Sequence, residues 1–292
     1  MIKGVFENYS SMKKILVLIV LMLLGLCMAS VFTGILAQMN IEKSTLYRSV
    51  QFLSLLGLFI IPSFLGAYLF SSDWKAYLYL DRSVSLQNIA YTIVLTIALQ
   101  PFLSWVVYLN NQIVLPDCLS GLEAILRSME SNAEQNISLI LTTDSIGVFL
   151  LNVLLVSVLT AIGEEAFFRG ALQRILLNET KRPWVAIVVI AIIFSAIHFQ
   201  FYGFFARLLL GLLLGYLVYA SKSLILPIIA HAVNNLIAII QIHLDNVYEV
   251  DESHYLNPRG IVLIASVFIS AFLLRLLIRS FRRERIDKQS IV

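Results

Sequence analysis

The sequence predicts an all-α fold, a polytopic membrane helical bundle with about eight transmembrane helices, and three observations predict it. Of 292 residues, 59% are hydrophobic and 13% charged, where an ordinary soluble domain carries roughly 25% charged residues. The apolar residues fall in runs of about 20, the length at which a helix rising about 1.5 Å per residue spans a hydrocarbon core of about 30 Å. Lys and Arg are concentrated in alternate polar breaks, the signature of loops on the cytoplasmic side of a membrane.

In chain order, the apolar runs place helices near 15–37, 50–70, 89–109, 146–177, 184–200, 205–220, 224–243 and 260–279. Lys13 and Lys14 before the first run suggest a signal peptide, but Ile15 to Ala37 is too long for a cleaved apolar core and Leu26 precedes Cys27 where lipoprotein signals carry a small residue. The run is expected to be a retained first helix. The fourth run is apolar in its first half and mixes charge with apolar residues at helical spacing in its second, so one long helix is expected. Pro116 to Thr143 is the only long loop, with room for a short surface helix. Gly211 and Gly215 form the small-residue pair that lets membrane helices approach closely.

Placing both termini in the cytoplasm puts 16 of the 21 basic residues inside, from Lys3, Lys13 and Lys14 through Lys181, Arg182 and Lys222 to the tail that starts at Arg275. Lys43, Arg48, Arg127, Arg207 and Arg259 remain outside, where the 110–145 and 244–259 stretches are acidic. The expected location is a bacterial inner membrane. The expected organisation is 1–145 as N-terminal helices and external loop, 146–245 as a functional core, and 246–292 as a last helix with a basic tail. The net charge of +3 is dispersed, so nucleic acid is not an expected partner. Cys27 and Cys118 are too far apart in sequence and setting to suggest a disulfide framework or a paired thiolate metal site.

Charged and polar residues inside apolar helices carry the chemistry, because a charge at membrane depth costs about 2.5–3.5 kcal/mol or more and rarely sits there without partners or function. Glu165 and Arg169 are four apart on one helical face and can pair, whereas Glu164, turned about 100° away, is free to point at another helix. His198 closes the next run. Counted from the turn between the two helices, Glu164 and His198 lie at about the same depth. His231 and Asn235 share one face of the seventh helix. Three helices thus offer a carboxylate, two imidazoles and an amide to one cavity, a set suited to activating water against an amide. Ser195 lies in no G-x-S-x-G turn and is not expected to be a nucleophile. His243 and His254 are expected at the surface. One carboxylate and two histidines, Glu164, His198 and His231, would suffice as protein ligands for a divalent metal such as zinc, while H-E-x-x-H is absent.

Three patterns, Glu164-Glu165-x-x-x-Arg169, Phe194-x-x-x-His198 and His231-x-x-x-Asn235, occur in order on successive helices over residues 150–240. In them the sequence resembles the CAAX protease and bacteriocin-processing family of intramembrane peptidases. The resemblance implies a hydrolase, an intramembrane endopeptidase or metalloprotease, in which Glu164 and His198 position the water and His231 with Asn235 stabilise the oxyanion. It implies a membrane-associated peptide or protein substrate in contact with lipid. The alternatives are a non-catalytic immunity or scaffold protein of the same fold, or a proton-relay transporter, for which no broken helices or inverted repeat are evident.

Overall fold

The computed structural model describes residues 2–248 and 260–289. Among them are nine helices of 14 residues or more: α1 (Ser11–Ala37), α2 (Lys43–Phe70), α3 (Leu86–Asn111), α4 (Ser120–Leu141), α5 (Ile146–Thr180), α6 (Pro183–Ala196), α7 (Phe204–Ser221), α8 (Ile225–Tyr248) and α9 (Gly260–Gln289). Seven are long and apolar enough to cross a membrane, and α6 is a shorter apolar helix. Residues such as Leu16, Leu23, Val31, Phe268 and Phe272 point outward, exposed, which only a lipid surround tolerates at this density. The chain is an integral membrane protein.

The second helix starts at Lys43 rather than near 50 because the buried Arg48 finds polar partners. Its guanidinium donates to Asn152 Oδ1 (2.9 Å), Ser44 Oγ (3.0 Å) and the Ile140 carbonyl (2.9 Å). The surface helix expected within 116–143 is 22 residues long, and its end packs into a cluster of Ile140, Leu141 and Ile239. The last helix runs to Gln289, ten residues past the expected end. The sixth stops at Ala196, not near 200. There the chain reverses through Phe199, in the left-handed region at φ 52°, and Ser195 Oγ donates to the Phe204 carbonyl across the reversal (2.6 Å).

Two apolar cores flank a polar layer. One joins α1, α2, α5 and α6 through residues such as Leu18, Phe70, Phe168 and Phe194. The other joins α3, α7, α8 and α9 through Leu95, Leu214, Leu226 and Leu277. In the first, Gly25 and Gly57 meet backbone to backbone, so that a Cβ on either would overlap the other's main chain. That crossing sits where α2 widens into a π-helical turn, Leu56–Ile60, just before Pro62, which has no N–H to donate. In α5, π-helical turns at Val153–Leu159 and Ala166–Leu172 bracket the segment Thr160–Glu165. Such bulges free carbonyls for outside donors. Asn235 Nδ2 uses Val156 O in this way (3.1 Å).

Candidate active site

The site lies where α5, α6, α7 and α8 meet. Helix α5 supplies Glu164, Glu165 and Arg169. Glu165 and Arg169 are fully buried, and Arg169 Nη1 donates to Glu165 Oε1 (2.7 Å). The second Arg169 nitrogen, Nη2, donates to the carbonyl of Gly211 on α7 (3.3 Å). One turn further along α5, Gln173 Nε2 donates to the carbonyl of Gly215 (2.9 Å). The glycine pair therefore does more than permit close packing. An alanine at 211 would press its Cβ to 3.1 Å from Ala191 Cβ, and one at 215 to 2.8 Å from Gln173 Oε1. Without side chains the two carbonyls stay open to buried donors that would otherwise be unpaired. Gln173 was recoverable from sequence only as a polar residue four positions beyond Arg169 on the same face.

His231, on α8, enters the same centre. Its Nδ1 is 2.8 Å from Glu165 Oε1, a contact that spacing along the chain could not reveal because the partners are 66 residues apart. Glu165 Oε1 thus receives both Arg169 and His231. In the neutral imidazole that donates its Nδ1–H to this carboxylate, Nε2 is left as an acceptor facing away. Glu164 Oε2 lies 3.9 Å from that Nε2. It is buried and accepts no hydrogen bond. In that tautomer two acceptors face each other across a short gap.

Phe194, on α6, is the wall between the polar groups. Its ring stands edge-on to His198 (centroids 5.2 Å apart) and to His231 (5.8 Å), and the Arg169 guanidinium lies 4.3 Å from its centre. His198 is in the turn beyond α6, with Nδ1 2.8 Å from the Phe194 carbonyl. This bond makes Nδ1 the protonated nitrogen and leaves Nε2 as an acceptor. Among the described residues His198 forms no ion pair with either glutamate. Asn235 lies one turn beyond His231. Its Nδ2 spends one proton on Val156 O and keeps a second. Ser195 is committed to Phe204 O. His243 is half-buried, its ring tilted against Phe149 (centroids 5.0 Å apart), and so is not a free surface residue; His254 lies outside the described residues.

Among the described residues no three His, Cys, Asp or Glu side chains group as metal ligands. Glu164 Oε2 and His231 Nε2 make two donors, and the other nitrogen of His231 is held by Glu165. A catalytic zinc takes three protein ligands. The third candidate from the sequence, His198, does not group with them, so this donor set does not fit zinc.

A membrane-helix bundle with paired buried glutamates, one bound to a buried arginine and both beside a histidine, is consistent with the catalytic site of an intramembrane protease. Residues 146–237 match the family model described as type II CAAX prenyl endopeptidase Rce1-like, and this segment of the chain is a domain of that protease family. The matched segment contains Glu164, Glu165, Arg169, His198, His231 and Asn235. No curated protein matches the chain.

Proposed function

We propose that the chain is an intramembrane endopeptidase that hydrolyses a peptide bond of a membrane-associated peptide or protein. The observation that carries this reading is the facing pair of acceptors, Glu164 Oε2 and His231 Nε2, 3.9 Å apart. A water donating to two acceptors at ordinary hydrogen-bond lengths sets them about 4.4 Å apart, so a small outward shift of either side chain seats one. Both of its protons are then engaged, and its lone pair is left to attack a carbonyl carbon. Glu164 takes the water's proton as the new C–O bond forms. The oxyanion receives the second N–H of Asn235. Glu164 then returns the proton to the amide nitrogen as the C–N bond breaks. Glu165 holds His231 by Nδ1, and Arg169 in turn holds Glu165. His198, with its free Nε2, completes the polar side of the site.

A lipid-borne substrate is supported by a cavity of about 580 Å³ beside the site. Its walls include Leu18, Phe59, Phe167, Phe168 and Ile190, and Phe168 packs its ring against Phe194 (5.3 Å). Apolar walls of this size hold the hydrocarbon part of a substrate whose peptide reaches the polar groups. The proposed orientation keeps both chain ends in the cytoplasm of a bacterial cell. The test is cleavage of a fluorogenic peptide library by the purified protein in detergent, with and without chelator. Cleavage that stops in Glu164→Gln supports the reading, and cleavage that persists there overturns it. Loss of cleavage on chelation would show that a metal takes part.

A further inference from the structure

The turn that carries His198 is held by a residue outside all three sequence patterns. Helix α6 has 14 residues, about 21 Å, which is short of a hydrocarbon core of about 30 Å. Irregular backbone at such depth persists only where protein covers it and its polar groups are matched. Helix α4 provides the cover. The Glu130 carboxylate accepts from Gln200 Nε2 (3.0 Å) through one oxygen and from the Tyr202 backbone N–H (3.1 Å) through the other. Arg207 in turn donates to Gln200 Oε1 (3.2 Å) and to the Gln200 carbonyl. Between His198 and Gln200 stands Phe199, exposed and in the left-handed region at φ 52°, a conformation a bulky residue keeps only when its surroundings impose it. Leu126 and Met129 of α4 close a second cavity over Ser195, Ala196 and Phe199.

The direction of this chain of bonds is fixed at every step. Arg207 can only donate, so Gln200 must turn its oxygen to Arg207 and its amide to residue 130. Tyr202 N–H also donates to residue 130. Residue 130 must therefore accept twice, through two atoms, and only a carboxylate does so. We propose that Glu130 is a positioning residue for the reaction: it fixes the turn that bears His198, and with it the place of the imidazole in the site. The inference rests on the peptidase reading for its catalytic consequence, but not for its geometry.

Glu130→Gln puts an amide donor against either Gln200 or Tyr202. Glu130→Gln combined with Gln200→Glu restores every bond, since the carboxylate at 200 accepts from Arg207 and from the amide at 130, whose oxygen still takes Tyr202 N–H. The full-length protein in detergent is treated with diethyl pyrocarbonate, and modification of His198 and His231 is followed by peptide mass spectrometry. Loss of a charge-assisted bond should raise the His198 rate about tenfold in Glu130→Gln, leave His231 unchanged, and return to the parent rate in the double variant. With any library peptide the parent cleaves, kcat should fall by a like factor, with KM and melting temperature held. Unchanged His198 labelling in Glu130→Gln overturns the proposal. So does a rise at both histidines with lowered melting, which would make the clamp a general prop of the fold. If Glu130→Gln fails to fold, the double variant decides, and parent-like labelling with slow turnover there would overturn the proposal. Retained cleavage in Glu164→Gln beside the expected labelling pattern would sink the peptidase reading and leave the clamp standing.

Discussion

Replacing Glu165 with Gln removes the countercharge of a guanidinium that binds no other anion among the described residues. Arg169 would keep the Gly211 carbonyl at 3.3 Å and the face of Phe194, neither of which neutralises it. The amide oxygen can take the place of Oε1 and keep both of its bonds, but its NH2 then falls where Oε2 sits, buried and without a partner. Breaking a buried ion pair by removing one member costs about 3–5 kcal/mol. For a chain of this length the cost is a fall in melting temperature on the order of 10 °C. His231 keeps an acceptor for Nδ1, so turnover per folded molecule should fall less than in Glu164→Gln. The double variant Glu165→Gln with Arg169→Met removes the stranded guanidinium, leaves one buried amide unpaired, and should recover much of the lost stability, since a buried charge left without its partner is the costliest part of breaking the pair. The measurement is melting in detergent for the two single variants and the double, read as a cycle. Additive losses, or a Glu165→Gln protein that melts with the parent, would refute the claim that the two residues are stable only together.

Gly25→Ala should cost about 1–3 kcal/mol through backbone overlap with Gly57, while Gly34→Ala on the same helix, which meets nothing within 4 Å, should melt with the parent; equal melting of the two would contradict the α1–α2 crossing. Asn152→Leu should cost about 1–3 kcal/mol by stranding Arg48 Nε, and a neutral result in thermal melting would show that Arg48 finds another acceptor. Cys118 is exposed in the loop before α4, so a membrane-impermeant maleimide added to intact cells should label it; labelling only after permeabilisation would reverse the proposed orientation.

The helices were legible because lipid imposes a single requirement, long apolar runs, and seven such helices with a shorter eighth stand close to the expected eight. Boundaries shifted where a polar residue had a distant partner. Lys43–Ser49 reads as loop until Arg48 is seen bonded to Asn152 and Ile140 O. The Glu165–Arg169 pair was legible because both residues lie on one helix four positions apart, and periodicity alone brings them together. Contacts between helices were not. Nothing in the spacing assigns His231 to Glu165, gives the Gly211 and Gly215 carbonyls to Arg169 and Gln173, or brings Glu130 to the His198 turn. Each depends on helix rotation and on π-helical turns, which apolar runs leave undetermined.

The central claim is that Glu164 is the base. Its carboxylate is buried, free of hydrogen bonds at Oε2 and 3.9 Å from the His231 nitrogen. Glutamine has the same shape and cannot take a proton from water. The direct measurement is cleavage per folded molecule by Glu164→Gln, beside its melting curve, on a peptide that the parent protein cuts. The account predicts a fall of about 10² to 10⁴ in rate with melting unchanged. A folded Glu164→Gln protein that cleaves at the parent rate would contradict it.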